Sequence, residues 1–156
     1  MGLTEEQIIP VKADATDLKY EKEFFDAVVS TDSYNYFGRD ENYLDEKLLP
    51  FVKKDGYIYI VVPGMKKDCH NNIHKELLLS WTPEQLDYIQ TIEYWKNIIS
   101  KSKKSEIISI YEMESNEECW NDWIKCDNEY SKNDKKAIDA GACKYLNFIA
   151  IVLKKK

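Results

Sequence analysis

Apolar positions along this chain alternate between two rhythms. Five stretches are short and dense in β-branched or aromatic residues, which predicts strands. Residues 7–13 carry Ile8, Ile9 and Val11. Residues 25–30 centre on Val28-Val29. Residues 56–63 hold the unbroken run Tyr57-Ile58-Tyr59-Ile60-Val61-Val62, the pattern of a strand covered on both faces. Residues 106–112 and 146–153 complete the set, the last again continuous through Phe148-Ile149-Ala150-Ile151-Val152.

Between them the spacing turns helical. Residues 41–53 place Leu44, Leu48, Leu49 and Val52 on one side, and Lys54-Asp55-Gly56 ends that helix. At Trp81-Thr82-Pro83-Glu84-Gln85, Thr82 is an N-cap, Pro83 the first helical residue and Gln85 the partner in a capping box. Leu86, Ile89, Ile92, Trp95 and Ile99 then line one face. Ser115-Asn116-Glu117-Glu118 opens a further helix with Trp120, Trp123 and Ile124, and Asn133-Asp134 caps a last short one reaching Gly141. Strands alternating with helices predict an α/β fold with a largely parallel sheet and an antiparallel edge.

A length of 156 residues predicts one domain, residues 1–156, with residues 65–105 as a helical insert covering it. Net charge is −6. That disfavours a nucleic-acid partner, which would want a basic stripe, and Lys154-Lys155-Lys156 is too short to supply one. No apolar run approaches the ~20 residues of a membrane span. The first residues are acidic where a signal peptide would be basic, so a cytoplasmic protein is expected. None of the four cysteines forms a CxxC pair, and free thiols are expected.

Three features, in order, carry a resemblance. A predicted strand ends in Ala13-Asp14-Ala15-Thr16-Asp17-Leu18. Glu23-Phe24-Phe25-Asp26-Ala27-Val28-Val29-Ser30 follows after a short loop, and Leu48-Leu49-Pro50-Phe51-Val52-Lys53-Lys54-Asp55-Gly56 leads into the clearest strand. This run is similar to the second half of the class I, S-adenosylmethionine-dependent methyltransferases of the small-molecule type. The resemblance implies a Rossmann-like sheet with helices on both faces and S-adenosylmethionine as cofactor.

The family's fold opens with a strand and a glycine-rich loop that cradles the cofactor. Here the glycines are Gly2, Gly38, Gly56, Gly64 and Gly141, and none forms such a loop. Met1-Gly2-Leu3 reads like a helix C-terminus with Gly2 as its left-handed cap. The expectation is therefore a C-terminal portion in which the N-terminal strands and helices of the cofactor half are missing. Unpaired edges and bare apolar faces would follow. A truncated product, a chain completed by a second polypeptide and a swapped homodimer all fit.

On this resemblance Asp14 and Ala15 would hold the adenine, although Asp14 reads equally as a turn or cap residue. Ser30, Thr31 and Asp32 leave the second strand at the sheet's switch point and would contact the cofactor's methionine end or the substrate; an Asx-type turn is the alternative. Tyr34, Tyr36 and Phe37 follow as a lid over a sulfonium or as loop packing, and Trp120 and Trp123 as a substrate-pocket wall or as core. His70 is a candidate general base. His70 and His74 stand four apart, but no further ligands appear at metal-binding spacing, so no metal is expected. Ser30-Thr31-Asp32-Ser33-Tyr34 lacks the N/D-P-P-Y/F signature of base-amine methylation. Two functions remain open: methyl transfer to a small molecule, and a non-catalytic subunit that binds a partner through an exposed sheet edge.

Overall fold

The computed structural model describes residues 2–4 and 6–156. Four long strands form one mixed sheet in the order β1 (Phe25–Thr31), β2 (Val52–Met65), β5 (Leu146–Lys155), β4 (Ser105–Glu112). β1 and β2 run parallel, whereas β5 is antiparallel to both β2 and β4. The two-residue β3 (Gln90–Thr91) pairs with the far end of β2 at Gly64 and Met65. Among the described residues β1 pairs with β2 alone, so its other edge carries no strand.

Residues paired across strands share a sheet face and alternate along it. Ile58, Ile60 and Val62 of β2 join Ile149, Ile151 and Leu153 of β5 on one face. Trp95 and Ile99 of α3 (Ile92–Ser100) cover that face, with Leu44, Leu48, Leu49 and the ring of Tyr34 in α1 (Tyr34–Phe37). The other face is covered at one end only. There Met65 and Leu146 pack with Trp120 of α4 (Asn116–Trp123) and with Ala137 and Ile138 of α5 (Glu129–Asp139). At its other end Tyr57, Tyr59, Val29 and Tyr111 stand exposed. The expectation that β2 is covered on both faces thus holds for only half its length.

Helices on both faces match the expected architecture, but several element boundaries differ. Residues 7–13 form no strand: Ile8, Ile9 and Val11 are exposed, and no neighbouring strand is there to receive their backbone groups. The helix expected over 41–53 is a π-helical turn at Leu44–Leu48 and a 3-10 turn at Leu49–Phe51, after which β2 begins at once. Pro50 has no N–H to continue an α-helical ladder. Gly56 meets its turn differently too. The left-handed residue there is Asp55, at φ 62°. Gly56 is needed because a Cβ would lie 2.8 Å from the Asp26 carbonyl oxygen and 2.9 Å from that of Lys53. The crowding occurs where β2 bulges: Val52 opposes Phe25, yet Tyr57 opposes Ala27.

The capping box at Thr82 forms as expected, with Thr82 Oγ1 accepting from the Gln85 backbone N–H and Gln85 Oε1 from that of Thr82. Its helix, α2, stops after Pro83–Leu86. Gln90-Thr91 then joins the sheet, and Thr91 caps α3 with its own hydroxyl. The single apolar face read from sequence is therefore divided. Leu86 and Ile89 enter the core beside α4 and α5, and Trp95 and Ile99 the core beneath the opposite face. Ser115 precedes α4 without a side-chain cap. Asn128, accepting from the Ser131 backbone N–H, caps α5, so Asn133 and Asp134 lie inside that helix instead of starting one. Gly141 ends this region at φ 90°, a left-handed position that suits glycine. Gly2 is exposed in non-helical chain, and Met1 lies outside the described residues.

Candidate functional site

A cavity of about 580 Å³ opens where β1 and β2 end at their carboxyl tips. Asp32 follows β1, Pro63 belongs to β2, and Phe148 to the adjacent β5. The segment between β2 and β3 contributes Trp81, Gln85, Tyr88 and Ile89, α4 contributes Trp120 and Trp123, and α5 contributes Tyr130, Asn133 and Asp134. Carboxyl ends of parallel strands are where open α/β sheets place ligands, and the volume suits a small molecule.

β1 hands the chain to the cavity through a tight turn. The Asp32 backbone N–H donates to the Val61 carbonyl at 2.8 Å, one step beyond the β1 ladder. Asp32 itself is left-handed, at φ 48°. Ser30 Oγ and Ser33 Oγ lie 2.9 Å apart and close the turn. α1 then carries Asn35 and Tyr36 to the cavity, while Tyr34 on its other side points into the core.

α5 is clasped from the segment between β2 and α2. Ser80 Oγ donates to the Asn133 carbonyl at 2.7 Å, and Asn133 Nδ2 donates to the Ser80 carbonyl at 2.7 Å. This fixes Asp134, whose Oδ2 accepts from Trp123 Nε1 at 2.9 Å. Trp81 packs on Trp120, and Trp120 stacks on Phe148 with centroids 5.3 Å apart. Across the cavity Tyr36 packs on Tyr88. Arg39 lies 4.4 Å above the Tyr88 ring, its charge held by Asp87 at 2.7 Å.

Both carboxyls are held above their ordinary value. Burial pushes the Asp134 carboxyl above its ordinary value, against the lowering by its hydrogen-bond donors. Asp32 is also raised, first by the cavity wall and then by the charge of Asp134, although its side chain keeps solvent access. Tyr36 is raised by burial and by Asp32. Two buried polar atoms on lining residues have no hydrogen-bond partner in the protein, Asn35 Oδ1 and Trp120 Nε1.

Of the residues singled out from sequence, Asp32, Tyr36, Trp120 and Trp123 meet at this cavity. Ser30 and Thr31 lead directly into it. Tyr34 does not line it. The ring is 1% exposed, and a Cβ on Gly38 would fall 2.0 Å from it, so Tyr34 fills core space reserved by that glycine. Asp14 and Ala15 are also elsewhere. Asp14 Oδ1 accepts from the Thr16 backbone N–H and hydroxyl in an exposed Asx turn, which lowers its carboxyl. The Ala15 carbonyl accepts from the Tyr43 hydroxyl at 2.8 Å. His70 is not among the lining residues, and both ring nitrogens have partners, Asp68 at 2.7 Å and the Leu86 carbonyl at 3.1 Å. His74 stacks on Tyr145.

Sequence reasoning missed Trp81, Tyr88, Tyr130 and Asp134. Tyr130, Asn133 and Asp134 are spaced three and four apart, a helical stripe that becomes readable once α5 is known to start at Asn128.

No family model matches the chain, and no curated protein matches it. Solved structures do. The geranyl diphosphate C-methyltransferase of Streptomyces coelicolor A3(2) is 11% identical, with a TM-score of 0.67 over 97% of this chain and 55% of that one. The fold is that of the class I methyltransferases. Phosphoethanolamine N-methyltransferase 2 of Haemonchus contortus gives a TM-score of 0.64 at 15% identity, over 91% of this chain and 36% of that one. The cyclase SpnF gives 0.62 at 13% identity, over 96% and 56%. This methyltransferase fold therefore has neighbours named for different reactions, and chemistry must be argued from the site. The chain spans 55%, 36% and 56% of the lengths of these three structures. Among the described residues, no helix is long and apolar enough to cross a membrane.

Proposed function

We propose that this chain supplies the acceptor side of an S-adenosylmethionine-dependent methyl transfer to a small molecule. The observation that carries the reading is the aromatic cavity at the carboxyl tips of β1 and β2, built on the methyltransferase fold. When bound, the cofactor supplies a methyl group on a sulfonium, a good leaving group, so the protein's task is alignment and exclusion of water.

The residues present suit one end of that cofactor. Ser30, Thr31 and Asp32 lead from β1 into the cavity and would hold its methionine part. Asp14 and Ala15 lie outside the cavity lining, and no glycine-rich turn is present, so the adenosine part would need a complementing segment alongside the free edge of β1. Trp120 and Phe148 wall the acceptor space and keep it dry, while the Ser80 clasp holds Asp134 in place.

The test is a chimera. The first two strands and glycine-rich loop of a small-molecule methyltransferase are fused ahead of residue 7, and S-adenosylhomocysteine is titrated calorimetrically. The chimera binds, and this chain alone binds weakly or not at all. A chimera with native-like circular dichroism but no heat of binding sinks the proposal. A second reading rests on the exposed Tyr57, Tyr59, Val29 and Tyr111 beside the unpaired β1 edge: a non-catalytic subunit that docks a partner there. It predicts no cofactor binding in either form.

A further inference from the structure

The charge and shape of the cavity narrow what it can hold. Asp32 and Asp134 line it, and among the described residues no Lys, Arg or His does. Arg39, stacked behind Tyr88, is already paired with Asp87. A phosphate or diphosphate would therefore meet two carboxylates and no free cation. The walls are the π faces and edges of Tyr36, Trp81, Tyr88, Trp120, Trp123 and Tyr130. Rings of this kind, with a carboxylate among them, attract a soft organic cation.

We propose that this cavity binds an amine or quaternary ammonium group, so that the acceptor is a small cationic amine rather than a neutral or phosphorylated molecule. The acceptor role rests on the methyl-transfer reading above; the cation site does not. Asp134 is the principal counter-charge, because Trp123 Nε1 and the Ser80 clasp fix it against the rings. Asp32, assigned above to the cofactor's methionine part, adds a second negative charge at the open rim. The cofactor's sulfonium shares this onium chemistry, so the test must separate the two sources.

The probe is choline, against its neutral carbon isostere 3,3-dimethyl-1-butanol, both followed by tryptophan fluorescence of the full chain. Choline binds about tenfold tighter than the isostere. Its methyl proton resonance moves upfield as the rings shield it. Asp134→Asn, nearly the same shape, reduces the preference for choline. Equal binding of the two probes, no binding of either, or tighter binding of inorganic pyrophosphate overturns the proposal. So does displacement of choline by an equimolar amount of S-adenosylmethionine, which would assign the cage to the cofactor. If the chimera fails to bind S-adenosylhomocysteine while choline is still preferred, methyl transfer falls and the cation site stands. A chimera that binds S-adenosylhomocysteine beside a cavity indifferent to charge has the opposite meaning.

Discussion

Residues 7–13 and Phe25–Thr31 look alike on paper, each a short apolar run closing in small and acidic residues, yet only the second is a strand. The difference lies outside both segments. Phe25–Thr31 has β2 beside it, and its Val28 packs against the larger core. Residues 7–13 have no pairing strand among the described residues, and Ile8, Ile9 and Val11 face solvent. A β pattern is a statement about a surface that can be half buried; without a neighbour and a covered face it remains a sequence preference. The carboxylates at the two ends diverge accordingly. Asp14 satisfies itself through Thr16, whereas Asp32 joins a shared cavity.

The largest test of this contrast places a charge in each run. Val28→Asp puts a carboxylate against the main core and costs at least ~3 kcal/mol in urea unfolding. Val11→Asp, on an exposed position, stays within about 0.5 kcal/mol. Equal losses would mean that residues 7–13 are packed after all.

A pair of glycines sharpens the same point at smaller scale. Gly56→Ala forces a methyl group onto two backbone carbonyls at the bulge that lets β2 pair with β1, and costs about 2 kcal/mol. Gly2→Ala meets nothing within 4 Å and leaves the unfolding midpoint unchanged.

The smallest effect is one of sign. Burial raises the Asp134 carboxyl in the folded state, so its charged form opposes folding above that raised value. Asp134→Asn therefore stabilises the protein slightly at pH 7. The gain fades as pH falls and is gone below the ordinary value of 3.8, where Asp134 is protonated in both states. Asp14 behaves in reverse. Its folded carboxyl is lowered by Thr16, so it favours folding above 3.8 and loses that contribution in acid; Asp14→Asn is slightly destabilising at pH 7. Thermal melts of both variants at pH 7 and pH 3 read the two signs directly.

The legible elements were those whose signal is local or whose partners lie within the chain. β1, β2, β4 and β5 were readable from dense β-branched runs, and the Thr82 box from four adjacent residues. The methyltransferase architecture was implied by a resemblance carried by the motifs around β1 and β2, and the matching structures share that fold. What failed depended on context. Two caps, Thr82 and Thr91, compete within one apolar stripe, and the pairing of Gln90-Thr91 with β2 decides where the helix breaks. Asn128 and Asn133 both read as helix starts, and the choice of Asn128 turns Asp134 from a cap into a cavity wall. For the site, Asp32, Tyr36, Trp120 and Trp123 were found because strand tips and aromatic helices draw attention. Trp81 and Tyr88 arrive from the segment between β2 and β3 through tertiary packing that spacing does not encode.

Asp32 turns the chain at the tip of β1 with a backbone twist that glycine adopts at less cost. A glycine there would ease the turn and remove the rim carboxylate in one step. On the cation-site proposal, ligand binding and fold stability place opposite demands on this residue: the aspartate that strains the turn also puts a charge at the cavity mouth.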